Sequence, residues 1–107
     1  MDDSLIEKIR GYIARHYGED LSLEVMSSQF AMNPSYFSAF FHQKTGIKYK
    51  DYLTRIRITE AKRLLLKGDL RIYEVSQQVG FTDVRYFSQV FLKATGVLPK
   101  DYRNRLR

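Results

Sequence analysis

Hydrogen-bonding side chains recur along residues 84–95 at the spacing of one helix face. Arg85, Ser88 and Gln89 stand three and four residues apart, and a turn of ~100° per helical residue places them on one side. Arginine can bond guanine through two hydrogen bonds, glutamine can bond adenine in the same way, and serine adapts to several base edges. The set suits non-covalent reading of a DNA major groove, and an ordinary amphipathic surface helix is the alternative for this segment alone.

Residue types that carry catalysis or bind metal are sparse. The chain has no cysteine, which excludes disulfides, thiolate zinc sites and cysteine nucleophiles, and its two histidines are His16 and His42. The carboxylates are scattered, with no Ser/His/Asp arrangement and no glycine-rich phosphate loop. The sequence therefore predicts neither an enzyme nor a cofactor or metal site. For His16 it predicts a structural role.

Residues 72–103 are predicted to form a helix, a tight turn and a second helix, and the second helix carries Arg85 and Gln89. Gly80 supplies the positive φ that a sharp turn often needs, and Asp83 is a capping residue for the second helix. The second helix has an apolar stripe opposite its polar face, formed by Phe87, Val90, Phe91 and Ala94. The first helix offers two valines one turn apart, Val75 and Val79, for packing.

An internal repeat extends this pattern to the first half of the chain. An offset of 50 residues superposes a second helix-turn-helix candidate without a gap, in which Ser22 and Asn33 are the caps and Pro34 begins the second helix. The matched segments are Glu24-Val25 with Glu74-Val75, Tyr36-Phe37-Ser38 with Tyr86-Phe87-Ser88, Phe41 with Phe91, Thr45-Gly46 with Thr95-Gly96, and Lys50-Asp51-Tyr52 with Lys100-Asp101-Tyr102.

Helical periodicity over the whole chain predicts an all-α fold of about seven helices. Residues 1–49 form a first helix-turn-helix subdomain, 50–67 a linker helix and 68–107 a second subdomain, together one functional domain. Eighteen linker residues span roughly 27 Å. This length is enough to separate two lobes, and two helices that read one face of a duplex should lie ~34 Å apart.

Charge is unevenly distributed along the chain. The net charge of +6 arises from −3 over residues 1–43 and +9 over residues 44–107, which favours a polyanion as partner of the later part. Solvated helix faces are the alternative; they explain several of these cations, and they explain the asymmetry less readily. No run approaches the ~20 apolar residues of a membrane span, and a signal peptide pattern is absent, so a cytosolic protein is predicted.

These motifs resemble the tandem helix-turn-helix DNA-binding domain of bacterial AraC/XylS-type transcription regulators. The resemblance covers nearly the whole chain and is most specific at residues 79–83, 86–88, 95–96 and 101–103. It implies two recognition helices in successive major-groove segments on one side of the duplex. Its base-facing positions here are Ser35, Ser38, Ala39 and His42 in the first copy, and Val84, Arg85, Ser88 and Gln89 in the second.

Two departures from the family pattern concern DNA contact. Ala39 stands where a long polar side chain is common and offers only a methyl group, for example to thymine, and Leu92 stands where lysine is common. With the charge asymmetry, this suggests that the second copy and the linker supply most of the affinity. Phosphate candidates are Lys44, Lys48, Lys50, Lys93, Lys100 and Arg103.

The resemblance also implies partners for a full-length regulator. The expected partners are duplex DNA, RNA polymerase and a covalently attached sensor or receiver domain. The expected location is the bacterial cytoplasm, in association with the nucleoid. The chain is then a C-terminal output domain, and a stand-alone regulator controlled by its abundance is the alternative. The rival function is a helical protein-interaction module whose basic surface binds an acidic partner.

Overall fold

The computed structural model describes residues 3–105, and the described residues form seven α-helices and no strand. This confirms the predicted all-α class. The helices are α1 (Asp3–His16), α2 (Leu23–Gln29), α3 (Pro34–Thr45), α4 (Tyr49–Lys67), α5 (Ile72–Gln78), α6 (Val84–Thr95) and α7 (Pro99–Arg105).

The chain divides into two compact units, residues 1–56 and 57–107, with the boundary inside α4 after Ile56. The predicted division into subdomains 1–49 and 68–107 with a separate linker 50–67 stays a prediction. Among residues 3–105, no helix combines the length and the apolar character that crossing a bilayer requires.

In the first unit, α1, α2, α3 and the start of α4 enclose an apolar core. Phe37 and Phe41 on α3 are fully buried, and both rings meet the ring of Tyr49 edge to face, with centroids 5.4 Å apart in each pair. The Tyr49 hydroxyl donates a 2.7 Å hydrogen bond to the Leu21 carbonyl. The remaining core side chains are Ile6, Ile9, Ile13, Leu21, Met26, Phe40 and Leu53.

The core of the second unit has a similar aromatic centre. Phe87 and Phe91 on α6 are fully buried with ring centroids 5.8 Å apart, and Phe91 meets Tyr102 of α7 edge to face at 5.4 Å. Buried aliphatic side chains of α4, of α5 and of the residue that follows α5 also belong to this core: Ile58, Ala61, Leu64, Leu65, Val75 and Val79.

Helix boundaries follow the predicted capping residues. Ser22 and Asn33 accept hydrogen bonds from the backbone N–H of Val25 and Tyr36, at 3.2 and 2.8 Å, which satisfies donors that a helix start leaves unpaired. Asp83 accepts from the N–H of Arg85 at 2.9 Å. The predicted start of each recognition helix is therefore confirmed.

The two copies match at an offset of 50 only from α3 and α6 onward. Thr45 and Thr95 each donate a 2.8 Å hydrogen bond to the carbonyl four residues earlier, and Gly46 and Gly96 follow in the left-handed conformation. The rings of Phe41 and Tyr52 repeat the packing of Phe91 and Tyr102, at 5.0 Å.

The ungapped match of the earlier helices is wrong. Val25 is 37% exposed whereas Val75 is fully buried. Buried Ser27 and Ser76 occupy equivalent places instead, because their carbonyls accept the 2.8 and 2.9 Å hydrogen bonds that close the two turns. The offset there is 49 residues, since five residues separate α5 from α6 while four separate α2 from α3.

The extra residue lies in the second turn, where Gly80 has the predicted positive φ of 104°. The corresponding residue of the first turn is Ala31, with φ of 57°. Alanine in this region is strained, because its Cβ approaches the following carbonyl oxygen.

Gly96→Ala is expected to lower the free energy of unfolding by about 1–2 kcal/mol. The φ of Gly96 is +86° and an added Cβ meets nothing within 4 Å, so backbone strain alone should set the cost. Urea denaturation followed by circular dichroism measures it.

Gly11→Ala is the matched control with the opposite sign. Gly11 lies inside α1, and its added Cβ would meet only the end of the flexible Arg15 side chain, at 3.2 Å. Alanine should stabilise the helix by about 0.5–1 kcal/mol. Equal effects of the two substitutions would contradict this account of Gly96.

Candidate nucleic-acid interface

The outer face of α6 carries the side chains that the sequence predicts for base contact. Phe87 and Phe91 point into the core, whereas Val84, Arg85 and Gln89 are exposed and Ser88 is half-buried. Ala94, expected in the apolar stripe, is exposed, so the buried stripe is shorter than predicted and ends at Phe91. Arg85, Ser88 and Gln89 thus share the side of α6 that faces away from its core, whereas Val84, 37% exposed and seven residues before the buried Phe91, lies at the edge of that side.

The outer face of α3 has the same organisation and shorter side chains. Phe37, Phe40 and Phe41 are buried, and all four predicted base-facing residues of the first copy are exposed: Ser35, Ser38, Ala39 and His42. This face offers two hydroxyls, a methyl group and one imidazole. It has fewer long donors than the face of α6.

The preceding helix and its turn position each recognition helix. α2 packs against α3 and α5 packs against α6, and Met26 and Val75 are the fully buried contacts at equivalent places in α2 and α5. The turn-closing hydrogen bonds fix where the next helix begins: the N–H of Met32 bonds the Ser27 carbonyl, and the N–H of Phe81 bonds the Ser76 carbonyl. Each copy is a helix-turn-helix motif whose second helix presents a hydrophilic face.

Five of the six phosphate candidates are exposed lysines, namely Lys44, Lys48, Lys50, Lys93 and Lys100. Arg103 differs, because its Nε donates a 2.9 Å hydrogen bond to the Leu65 carbonyl near the end of α4 and its Nη2 is buried. The Arg103 guanidinium thus binds a carbonyl that the helix end leaves unpaired. A phosphate contact by Arg103 stays a prediction, and it would have to use guanidinium donors other than the bonded Nε and the buried Nη2.

Formal charge also differs between the two compact units. Residues 1–56 carry seven basic and seven acidic side chains, a net charge of 0, and residues 57–107 carry eleven and five, a net charge of +6. In the first unit, a hydrogen bond from Arg10 to the Tyr52 hydroxyl raises the pKa of the guanidinium above its ordinary value. The excess positive charge of the chain lies in the second unit.

Two exposed tyrosines lie beside the predicted base-facing sides, and sequence reasoning did not include them among the candidate contact residues. Tyr36 is 57% exposed and Tyr86 is 49% exposed, at equivalent places in α3 and α6. The signal was available in the helical wheel, since each tyrosine immediately precedes a core phenylalanine and lies on the flank of its helix.

Titratable side chains of the described residues form no group of three or more His, Cys, Asp or Glu placed to hold a metal ion. His16 contacts Glu19 at 2.7 Å and stacks on Tyr12 at 4.3 Å, which agrees with the structural role expected for it. The two helix-turn-helix motifs, with the exposed polar faces of α3 and α6, define a tandem helix-turn-helix DNA-binding domain.

Comparison with known proteins agrees with this class. The family profile described as "Helix-turn-helix domain" matches residues 26–105. The chain is 36% identical over 80 residues to the uncharacterized HTH-type transcriptional regulator YijO of Escherichia coli K12, an alignment that covers 75% of this chain and 28% of YijO.

Two solved structures are similar over almost the whole chain. The C-terminal domain of the two-component response regulator yesN from Fusobacterium nucleatum is 37% identical with a TM-score of 0.91, covering 94% of this chain and 99% of that one. The C-terminal domain of AraT, a response regulator from Geobacillus stearothermophilus, is 39% identical with a TM-score of 0.89, covering 95% and 84%. The chain belongs to the AraC-type helix-turn-helix DNA-binding domains of transcription regulators, and it spans less than a third of the length of YijO.

Proposed function

We propose that the chain recognises duplex DNA by inserting α3 and α6 into adjacent segments of the major groove. The observation that carries this proposal is that both helices bury their phenylalanines and direct the predicted polar face outward, with Ser38 exposed in α3 and Gln89 exposed in α6. A helix fits the major groove, where each base pair presents a distinct set of donors and acceptors.

The second unit supplies the larger share of affinity in this proposal. Its net charge is +6 against 0 for the first unit, and phosphate neutralisation dominates the strength of DNA binding. Arg85 and Gln89 reach guanine and adenine edges, whereas Ala39 can offer only a methyl contact. The first unit then contributes weaker reading of base edges and of DNA shape.

Competition and salt titrations test DNA recognition against the rival function, an interaction module for an acidic protein. We expect binding to a selected duplex to survive an excess of nonspecific competitor DNA. The affinity should also fall steeply between 50 and 200 mM salt, in proportion to the phosphates contacted. If nonspecific DNA and an acidic polypeptide displace the selected duplex equally well, the interaction module is favoured.

The whole regulator extends beyond this domain in the proposed arrangement. Support comes from YijO, of which the matching segment covers 28%, and from yesN and AraT, whose similar parts are described as C-terminal domains of response regulators. We propose that the chain is the output domain of a bacterial cytoplasmic regulator that acts at the nucleoid. A sensor or receiver domain controls it, and RNA polymerase responds to it at the promoter.

A further inference from the structure

An exposed tyrosine stands beside the base-facing side of each recognition helix. Tyr36 of α3 and Tyr86 of α6 are among the most exposed large hydrophobic side chains of the described residues. Within residues 3–105, neither hydroxyl has a hydrogen-bond partner. A phenol combines an apolar ring with a polar tip and commonly occupies the border between packed and wet surfaces. Each hydroxyl is therefore available to a ligand.

The helical positions of the two tyrosines place them on a flank. Tyr36 lies about 60° from Ala39 around the helix axis and about 100° from both Ser35 and the buried Phe37. Tyr86 has the same relation to Gln89, Arg85 and Phe87. When the outer face of a helix meets base edges, its flanks face the groove walls, which are built of sugar and phosphate.

In the first unit, the ring of Phe40 packs against both Tyr36 and the side chain of Lys44. The rings of Tyr36 and Phe40 are stacked with centroids 6.2 Å apart and planes inclined by 24°. The Lys44 ammonium lies 5.9 Å from the centroid of the same ring. Successive separations of four residues align the three side chains along one flank of α3.

In the second unit, different residues build a similar cluster. Tyr86 packs on Phe81 with ring centroids 6.0 Å apart, and the guanidinium carbon of Arg57 lies 5.7 Å from the Phe81 centroid. Phe81 is itself buried. Packing against a fixed ring reduces the entropy that a tyrosine loses on binding.

We propose that the hydroxyls of Tyr36 and Tyr86 each donate a hydrogen bond to a phosphate of the bound duplex. Lys44 adds a charged contact on the flank that Tyr36 occupies. Phosphate contacts of this kind fix the register and orientation of a helix in the groove without selecting a base. The proposal rests on the reading of duplex DNA by α3 and α6.

The substitutions Tyr36→Phe and Tyr86→Phe test it, since each removes only one oxygen atom. Affinities are measured on a duplex selected by the wild-type chain and on a scrambled duplex, at three salt concentrations. We expect each substitution to weaken binding about three- to tenfold on both duplexes. The slope of log affinity against log salt should not change, because the hydroxyl is uncharged.

Two further variants provide matched controls. Tyr12→Phe makes the same chemical change on α1, where the ring stacks on His16, and it should leave DNA affinity unchanged. Lys44→Gln removes a charge from the flank of α3, so it should weaken binding and reduce the salt slope by about one.

Separate results decide the two proposals. A wild-type chain that selects no duplex refutes DNA reading itself. If the wild type binds selectively and a tyrosine variant binds both duplexes as tightly as the wild type, the phosphate contact is refuted for that unit. A loss confined to the selected duplex, with altered preference at one base pair, also refutes it, because the tyrosine would then contact a base.

Discussion

Phe91→Ala should lower the free energy of unfolding by about 3–5 kcal/mol, the cost of emptying a fully buried aromatic site. The Phe91 ring packs against Phe87 at 5.8 Å and against Tyr102 at 5.4 Å, so its removal leaves a cavity bordered by two further rings. A loss of this size is a large fraction of the ~5–15 kcal/mol that stabilises a typical domain. Urea denaturation monitored by circular dichroism measures it.

Leu92→Ala is the matched control, one residue further along α6. Leu92 is 43% exposed, and substitution of a surface residue usually changes stability by at most ~0.5 kcal/mol. Similar losses for Phe91→Ala and Leu92→Ala would contradict the burial pattern that directs the polar face of α6 outward.

Arg85→Ala is expected to cost about 1–3 kcal/mol of binding free energy and to relax preference at one base pair. Arg85 is exposed, and its N–H bonds the Asp83 cap at the start of α6, where the side chain can approach a base edge. A guanidinium that bonds two guanine acceptors discriminates strongly against other bases. Affinities for four duplexes that differ only at the contacted pair provide the measurement.

Arg85→Lys separates geometry from charge. Lysine keeps the positive charge and lacks the planar fork of donors, so this variant should retain the salt dependence and lose much of the preference for one base pair. If Arg85→Ala instead weakens binding equally on all four duplexes while Arg85→Lys is neutral, Arg85 contacts a phosphate.

Residue type and spacing predicted the helices that matter for recognition. Asn33 and Asp83 mark helix starts because their short side chains accept backbone hydrogen bonds there, and Gly46 and Gly96 mark helix ends because they adopt a positive φ. Periodic phenylalanines then fix which face is buried. These signals are local, so a single sequence is enough to interpret them.

The register of α2 against α5 could not be predicted in this way. The dipeptide Glu-Val occurs in both helices, which suggested that Val25 and Val75 occupy equivalent positions. The buried residues show instead that Met26 is equivalent to Val75. One additional turn residue shifts the helix before it, and Ala31 adopts a positive φ that alanine rarely takes. The hydrogen bond between Arg103 and Leu65 joins residues 38 positions apart, and no local pattern indicates it.

Selection of bound duplexes from a random pool tests the two-helix reading most directly. We predict two half-motifs centred about ten base pairs apart, the more constrained of which changes when the selection is repeated with Arg85→Ala. Recovery of one short motif, with no second conserved segment at that spacing, would contradict the proposal that α3 and α6 both read DNA.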